Sequence, residues 1–172
     1  MTDNPGASND SGSGGQRPRW SIRHAGQGDE AFLERLAPRF VIGIAPWRSA
    51  EAMMATARRW LLDDLERARD GGAMVFIAQT DTSVPIGAVA VALGQHFTGT
   101  PEATIGELAV LEEWERQGVG AALIAAAEDW ARERGVPRIS LATGVANARA
   151  LAFYARHAYQ QEDVRLSKPL SE

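Results

Sequence analysis

Between Trp20 and Leu170 the hydrophobic period changes several times, and the changes outline the elements. Trp20 to His24 (WSIRH) reads as a short first strand. From Gly28 to Leu36 the apolar residues Phe32, Leu33 and Leu36 recur at helical spacing. A longer helix is predicted over Ser49 to Arg69, where Met53, Ala57, Trp60, Leu61 and Leu65 form one apolar stripe. Ser49 can cap its start and Glu51 suits its first turn, while Gly71 and Gly72 follow its end.

The period then shortens. Met74 to Ala78 (MVFIA), Ile86 to Leu93 (IGAVAVAL) and Ala103 to Leu111 (ATIGELAVL) read as three successive strands, which predict an antiparallel meander. Helical spacing returns from Gly118 to Arg134, with Leu123, Ala127, Trp130 and Ala131 inward and Glu128, Asp129, Arg132 and Glu133 toward water. Gly135 and Pro137 stop that helix. Arg138 to Ala142 (RISLA) is another strand and Asn147 to His157 a short helix. Tyr159 to Leu170 closes with extended character, Val164 and Leu166 alternating with Arg165 and Ser167. The order β-α-α-β-β-β-α-β-α-β predicts an α/β fold: a mixed, mostly antiparallel central sheet with helices on both faces.

Composition changes the picture at the N-terminus. Residues 1–18 (MTDNPGASNDSGSGGQRP) hold no apolar residue larger than Ala apart from Met1, so they cannot bury enough surface to offset their ordering entropy. They are expected to form a disordered tail, and 19–172 one folded domain, large enough to need no covalent staple. The chain has no cysteine, which excludes disulfides, iron–sulfur clusters and thiolate zinc sites. His24, His96 and His157 are scattered without metal-ligand spacing, so no metal is expected. A net charge of −4, with both signs interspersed, argues against nucleic acid as a partner. No apolar run approaches a membrane span, and the start lacks a signal-peptide core. A cytoplasmic location is the expectation.

The candidate chemistry sits in two stretches. In Glu107 to Ala121 (ELAVLEEWERQGVGA) a strand runs through a polar turn into Gly118-Val119-Gly120 and a helix. Glycines let backbone N–H groups approach an anion, and a helix N-terminus adds unpaired donors and partial positive charge. A dinucleotide fingerprint would need Gly or Ala where Leu123 stands, and a phosphate-binding Walker loop would need Gly-Lys-Ser/Thr; neither is present. In Ala142 to Tyr159 (ATGVANARALAFYARHAY), Asn147 can cap a helix on which Asn147, Ala150 and Tyr154 share one face.

These segments, in this order and spacing, resemble the GNAT superfamily of N-acetyltransferases: Glu107-Leu108-Ala109-Val110, then the loop to Gly118-Val119-Gly120, then Asn147 with Ala150 and Phe153-Tyr154. The resemblance spans about Trp20 to Leu170. It implies acetyl-CoA as co-substrate, held by Leu108, Ala109, Val110, Glu115, Arg116, Gln117, Gly118, Val119, Gly120, Ala121 and Asn147. It also implies Glu107 as the base that deprotonates the amine, with His96 as a rival, and Tyr154 as the proton donor to the leaving thiolate. The pattern departs at Glu115, where the family usually carries Arg or Gln, and at Ala158-Tyr159, where it often carries Gly-Phe. The expected partner is a small-molecule or peptide amine, and a homodimer is left open. A CoA-binding sensor or interaction module without turnover is the alternative class.

Overall fold

The structure, a computed structural model, describes residues 20–170. The tail expected over residues 1–18 lies outside the described residues. Five strands form one sheet in the order of the chain: β1 (Trp20–His24), β2 (Ala73–Thr80), β3 (Pro85–Gln95), β4 (Pro101–Val110) and β5 (Ile139–Leu141). The first three pairings are antiparallel and the fourth, β4 with β5, is parallel, so the sheet is mixed and mostly antiparallel.

Helices cover both faces. On one face α1 (Glu30–Leu36) and α2 (Ala50–Arg67) bury Phe32, Leu33, Leu36 and Leu61 against Val75, Ile77, Ala88 and Ala90. On the other, α3 (Val119–Glu133) buries Val119, Leu123, Ile124, Ala127, Trp130 and Ala131 against Phe76, Val89, Val91 and Ile105. Central strands covered on both faces need apolar residues at every position, which is why β2 and β3 read as continuous apolar runs. α4 (Ala148–Arg156) packs Phe153 and Tyr154 on the α3 face.

The caps follow the sequence. Ser49 accepts a hydrogen bond from the Ala52 N–H, Gly71 ends the α2 region with φ 75°, and Asn147 accepts from the Ala150 N–H at 3.1 Å.

Two expectations are corrected. The closing segment Tyr159 to Leu170 joins no strand: Val164 and Leu166 are 81% and 88% exposed. Two alternating apolar residues need a partner edge, and β5, three residues long, offers a short one. Trp60, read as part of the α2 apolar stripe, is 48% exposed, and the buried positions of that helix are Ala57, Leu61 and Asp64.

Candidate active site

β4 builds the site through one irregularity. Its register with β3 runs Val91↔Ile105 and then Val89↔Leu108, so two steps on β3 face three on β4. This is a β-bulge at Gly106-Glu107, and one inserted residue reverses which face the following side chains take. Ala103 and Ile105 accordingly pack in the α3 cluster, whereas Ala109 packs in the α1–α2 cluster and Leu108 and Val110 turn to α3. Glu107 thereby enters the α2 side, where it lines a cavity of about 370 Å³ with Trp60, Asp63, Asp64 and Arg67.

Glu107 is 5% exposed, and its Oε2 has no hydrogen-bond partner among the described residues. A buried carboxylate without donors is disfavoured relative to its acid. Burial, reinforced by the negative charge of Asp64, pushes Glu107 up to about 8. Burial also raises Asp64, opposed by the adjacent Arg67 guanidinium.

The bulge also ends the pairing with β5, which covers only Ala103, Thr104 and Ile105. From Gly106 to Val110 the outer edge of β4 has no strand partner among the described residues. Beyond it the chain makes a 3-10 turn at Glu112–Trp114, passes through Arg116 at φ 59° and reaches Gly118 at φ 83°, the N-cap of α3. The first helical bond joins the Ala122 N–H to the Gly118 carbonyl, so the N–H groups of Val119, Gly120 and Ala121 have no helical acceptor. A left-handed residue followed by a helical one makes successive N–H groups converge, a concavity suited to anions. Gly120 also spaces α3 from α4: a Cβ there would lie 3.5 Å from Phe153 Cζ. Gln117 is spent within the loop, donating to the Glu113 carbonyl at 2.8 Å.

Asn147 caps α4 and also donates to the Ile42 carbonyl at 3.3 Å. The long connection between α1 and α2 therefore lies over the start of α4. Its backbone approaches so closely that no Cβ fits at Gly43 or Gly144. Tyr154 packs at ring-centroid distances of 5.4 Å from Phe153 and 5.7 Å from Tyr159. Burial raises its phenol, and its hydroxyl makes no hydrogen bond to a described residue. Glu107 and Tyr154 thus flank the sheet from opposite faces.

Glu115, the departure from the family pattern, does not point outward. Its carboxylate forms ion pairs with Arg39 and Arg149, and Arg39 also reaches Glu112 at 3.7 Å. Two guanidinium groups against one carboxylate at Glu115 keep the loop surroundings from being anionic. His96 is not brought to Glu107. It lies in the turn between β3 and β4, bonds Thr98 at 2.8 Å and lines a separate cavity with Glu102 and Arg138.

Sequence reading missed the bulge and the polar face of α2. Gly106 inside a strand was the available signal for the first. For the second it was Trp60, Asp63, Asp64 and Arg67 at i, i+3, i+4 and i+7.

The Acetyltransferase (GNAT) family model matches residues 39–159. No curated protein sequence matches the chain. Among solved structures, a protein of Pyrococcus furiosus described as an acetyl transferase superposes with TM-score 0.71 at 22% identity, covering 88% of this chain and 99% of that one. Glucosamine-6-phosphate N-acetyltransferase from Arabidopsis thaliana gives 0.63 at 14% identity, with the same coverage of 88% and 99%. An aminoglycoside acetyltransferase from an uncultured soil metagenomic sample gives 0.61 at 21% identity, covering 89% and 97%. At these identities the likeness is one of fold.

Proposed function

The chain belongs to the GNAT acetyltransferase family, and from that premise we propose that it transfers an acetyl group from acetyl-CoA to a primary amine by direct attack. One observation carries the reading: among the described residues, the N–H groups at the start of α3 have no helical acceptor, the edge of β4 from Gly106 to Val110 has no strand partner, and Glu107 on that strand is buried with no hydrogen-bond partner at Oε2.

The diphosphate of the co-substrate would lie against the N–H groups of Val119, Gly120 and Ala121, with Gly118, Arg116 and Glu115 shaping the loop. Its extended arm would run along Leu108, Ala109 and Val110, as an added strand does on an open sheet edge. Asn147, the cap of α4, would stand beside this path. The amine would enter from the α2 cavity.

In the reaction the neutral amine nitrogen attacks the thioester carbon. A nitrogen–carbon bond forms, the carbon–sulfur bond breaks, and the nitrogen's proton passes to the Glu107 carboxylate, directly or through water. Charge developing on the carbonyl oxygen would meet a backbone N–H near Val110. Tyr154 would donate to the departing thiolate, a charged acceptor that strengthens the hydrogen bond.

The test is incubation of the pure protein with acetyl-CoA and a panel of amines, reading free thiol. Amine-dependent thiol release above the hydrolysis background is expected. Tight acetyl-CoA binding with no release across the panel would refute turnover and favour a binding module.

A further inference from the structure

The cavity between α2 and the bulge of β4 is unusual in its charge. It presents three carboxyl groups, Asp63, Asp64 and Glu107, and one cation, Arg67. That guanidinium is already engaged: it pairs with Asp64 Oδ1 at 3.3 Å and donates to the carbonyls of Leu93 at 3.0 Å and Gly72 at 3.4 Å. Asp64 is buried with its Oδ2 toward Gly106, and Asp63 forms no ion pair with another described residue. Glu107, 95% buried, lines the cavity with an Oε2 that no described residue bonds. Trp60 stands half-exposed on the wall, a ring face of the kind that attracts ammonium groups. These carboxyls are not arranged as a metal-holding group.

We propose that the acceptor is an amine carrying a second positive charge, its reacting nitrogen beside Glu107 and its other ammonium held by Asp63 and Asp64 against Trp60. The inference rests on the acyl-transfer reading for the identity of the reacting nitrogen and on the cavity itself for the ligand class. An acceptor bearing a carboxylate meets the like charge of Asp63 and Asp64, which costs binding. A monoamine satisfies Glu107 and leaves Asp63 without an ion-pair partner among the described residues. A cavity of about 370 Å³ is at the small-molecule end of ligand sites, so the dication fits as a compact molecule or as one end of a longer one.

The test uses the full chain and three ligands of matched length: diaminobutane, butylamine and γ-aminobutanoate. Binding is measured by calorimetry without acetyl-CoA, and thiol release is measured separately. Diaminobutane is expected to bind at least about tenfold tighter than butylamine, a difference worth one well-placed ion pair, and γ-aminobutanoate weakest. Asp63→Lys, at an exposed helix position, is expected to remove the preference while keeping the melting temperature. If that variant misfolds, Asp63→Asn serves and should at least halve the preference. Equal affinities, a preference for γ-aminobutanoate, no binding of any ligand, or a diamine preference that survives in folded Asp63→Lys would each overturn the assignment. Selective diamine binding without thiol release would refute the transfer reading and still support the ligand class.

Discussion

Replacing Glu107 by Gln removes one titrating group whose cost can be read from its surroundings. The carboxyl is pushed from an ordinary 4.5 to about 8 by burial and by Asp64. Because the folded state holds this proton more tightly than the unfolded chain, the favourable contribution is complete below pH 4.5 and is lost as pH rises through about 8. The whole swing is on the order of 4–5 kcal/mol, at 1.36 kcal/mol per unit of pKa. For a domain of this size about 1 kcal/mol moves Tm by roughly 2–4 °C, so the swing amounts to about 10 °C or more. Glu107→Gln keeps the shape and does not titrate. Thermal unfolding of both proteins at fixed ionic strength should therefore give curves that converge near pH 5 and separate toward pH 9, the Gln variant being the more stable in alkali. Activity should move oppositely. The wild-type rate should rise with pH toward a limb near 8, shifted lower when a cationic amine occupies the cavity, because an opposite charge favours the carboxylate. The variant should lose about 10²–10⁴-fold in rate together with that limb. Melting curves that stay parallel from pH 5 to 9 would refute the buried, uncompensated carboxyl. An unchanged rate profile would refute its role as base.

Three other outcomes follow from the site and its supports. Tyr154→Phe keeps the ring packing and should lower turnover by about 10-fold with little change in acetyl-CoA affinity; full activity in steady-state assays removes Tyr154 from the reaction. Glu115→Gln frees Arg39 and Arg149 from their shared carboxylate. It should tighten acetyl-CoA by roughly 2–5-fold at low salt, fading as salt rises, and weaker binding by calorimetry would contradict the electrostatic reading. Ala158 follows α4 with φ 64°, and the Tyr159 N–H bonds the Tyr154 carbonyl, a helix ending that favours glycine. Ala158→Gly should therefore stabilise the protein by about 1 kcal/mol, raising Tm by roughly 2–4 °C; a lower Tm would show that the strain is compensated elsewhere.

What the sequence disclosed and what it hid divide along a physical line. Ser49, Gly71 and Asn147 act on neighbours within a few residues, so their caps were legible, as was the strand–loop–helix path from Glu107 to Gly120. Apolar period is clearest for α1, α2, α3 and β2 to β4, because each buries one stripe or a continuous run. The same reading failed where partners are distant in sequence. Glu115 meets Arg39 and Arg149, 76 and 34 positions away. The closing segment had the right alternation and no edge to join. Trp60 falls on the apolar stripe of α2 and could equally line a cleft, because hydrophobicity alone does not separate a wall from a filling; it lines the cavity. Asp64, buried on the inward side of α2, was missed for the converse reason. The bulge ties these failures together. A period of two cannot register one extra residue in β4, yet that residue carries Glu107 to the α2 side, where it meets Asp64, and follows directly on the last residue paired with β5. The bulge thus sets both the wall of the α2 cavity and the free strand edge: in unbroken alternation from Ile105 at the α3 face, Glu107 would face α3 and Leu108 α2, whereas the bulge lets Gly106 and Glu107 both face the cavity and returns Leu108 and Val110 to α3.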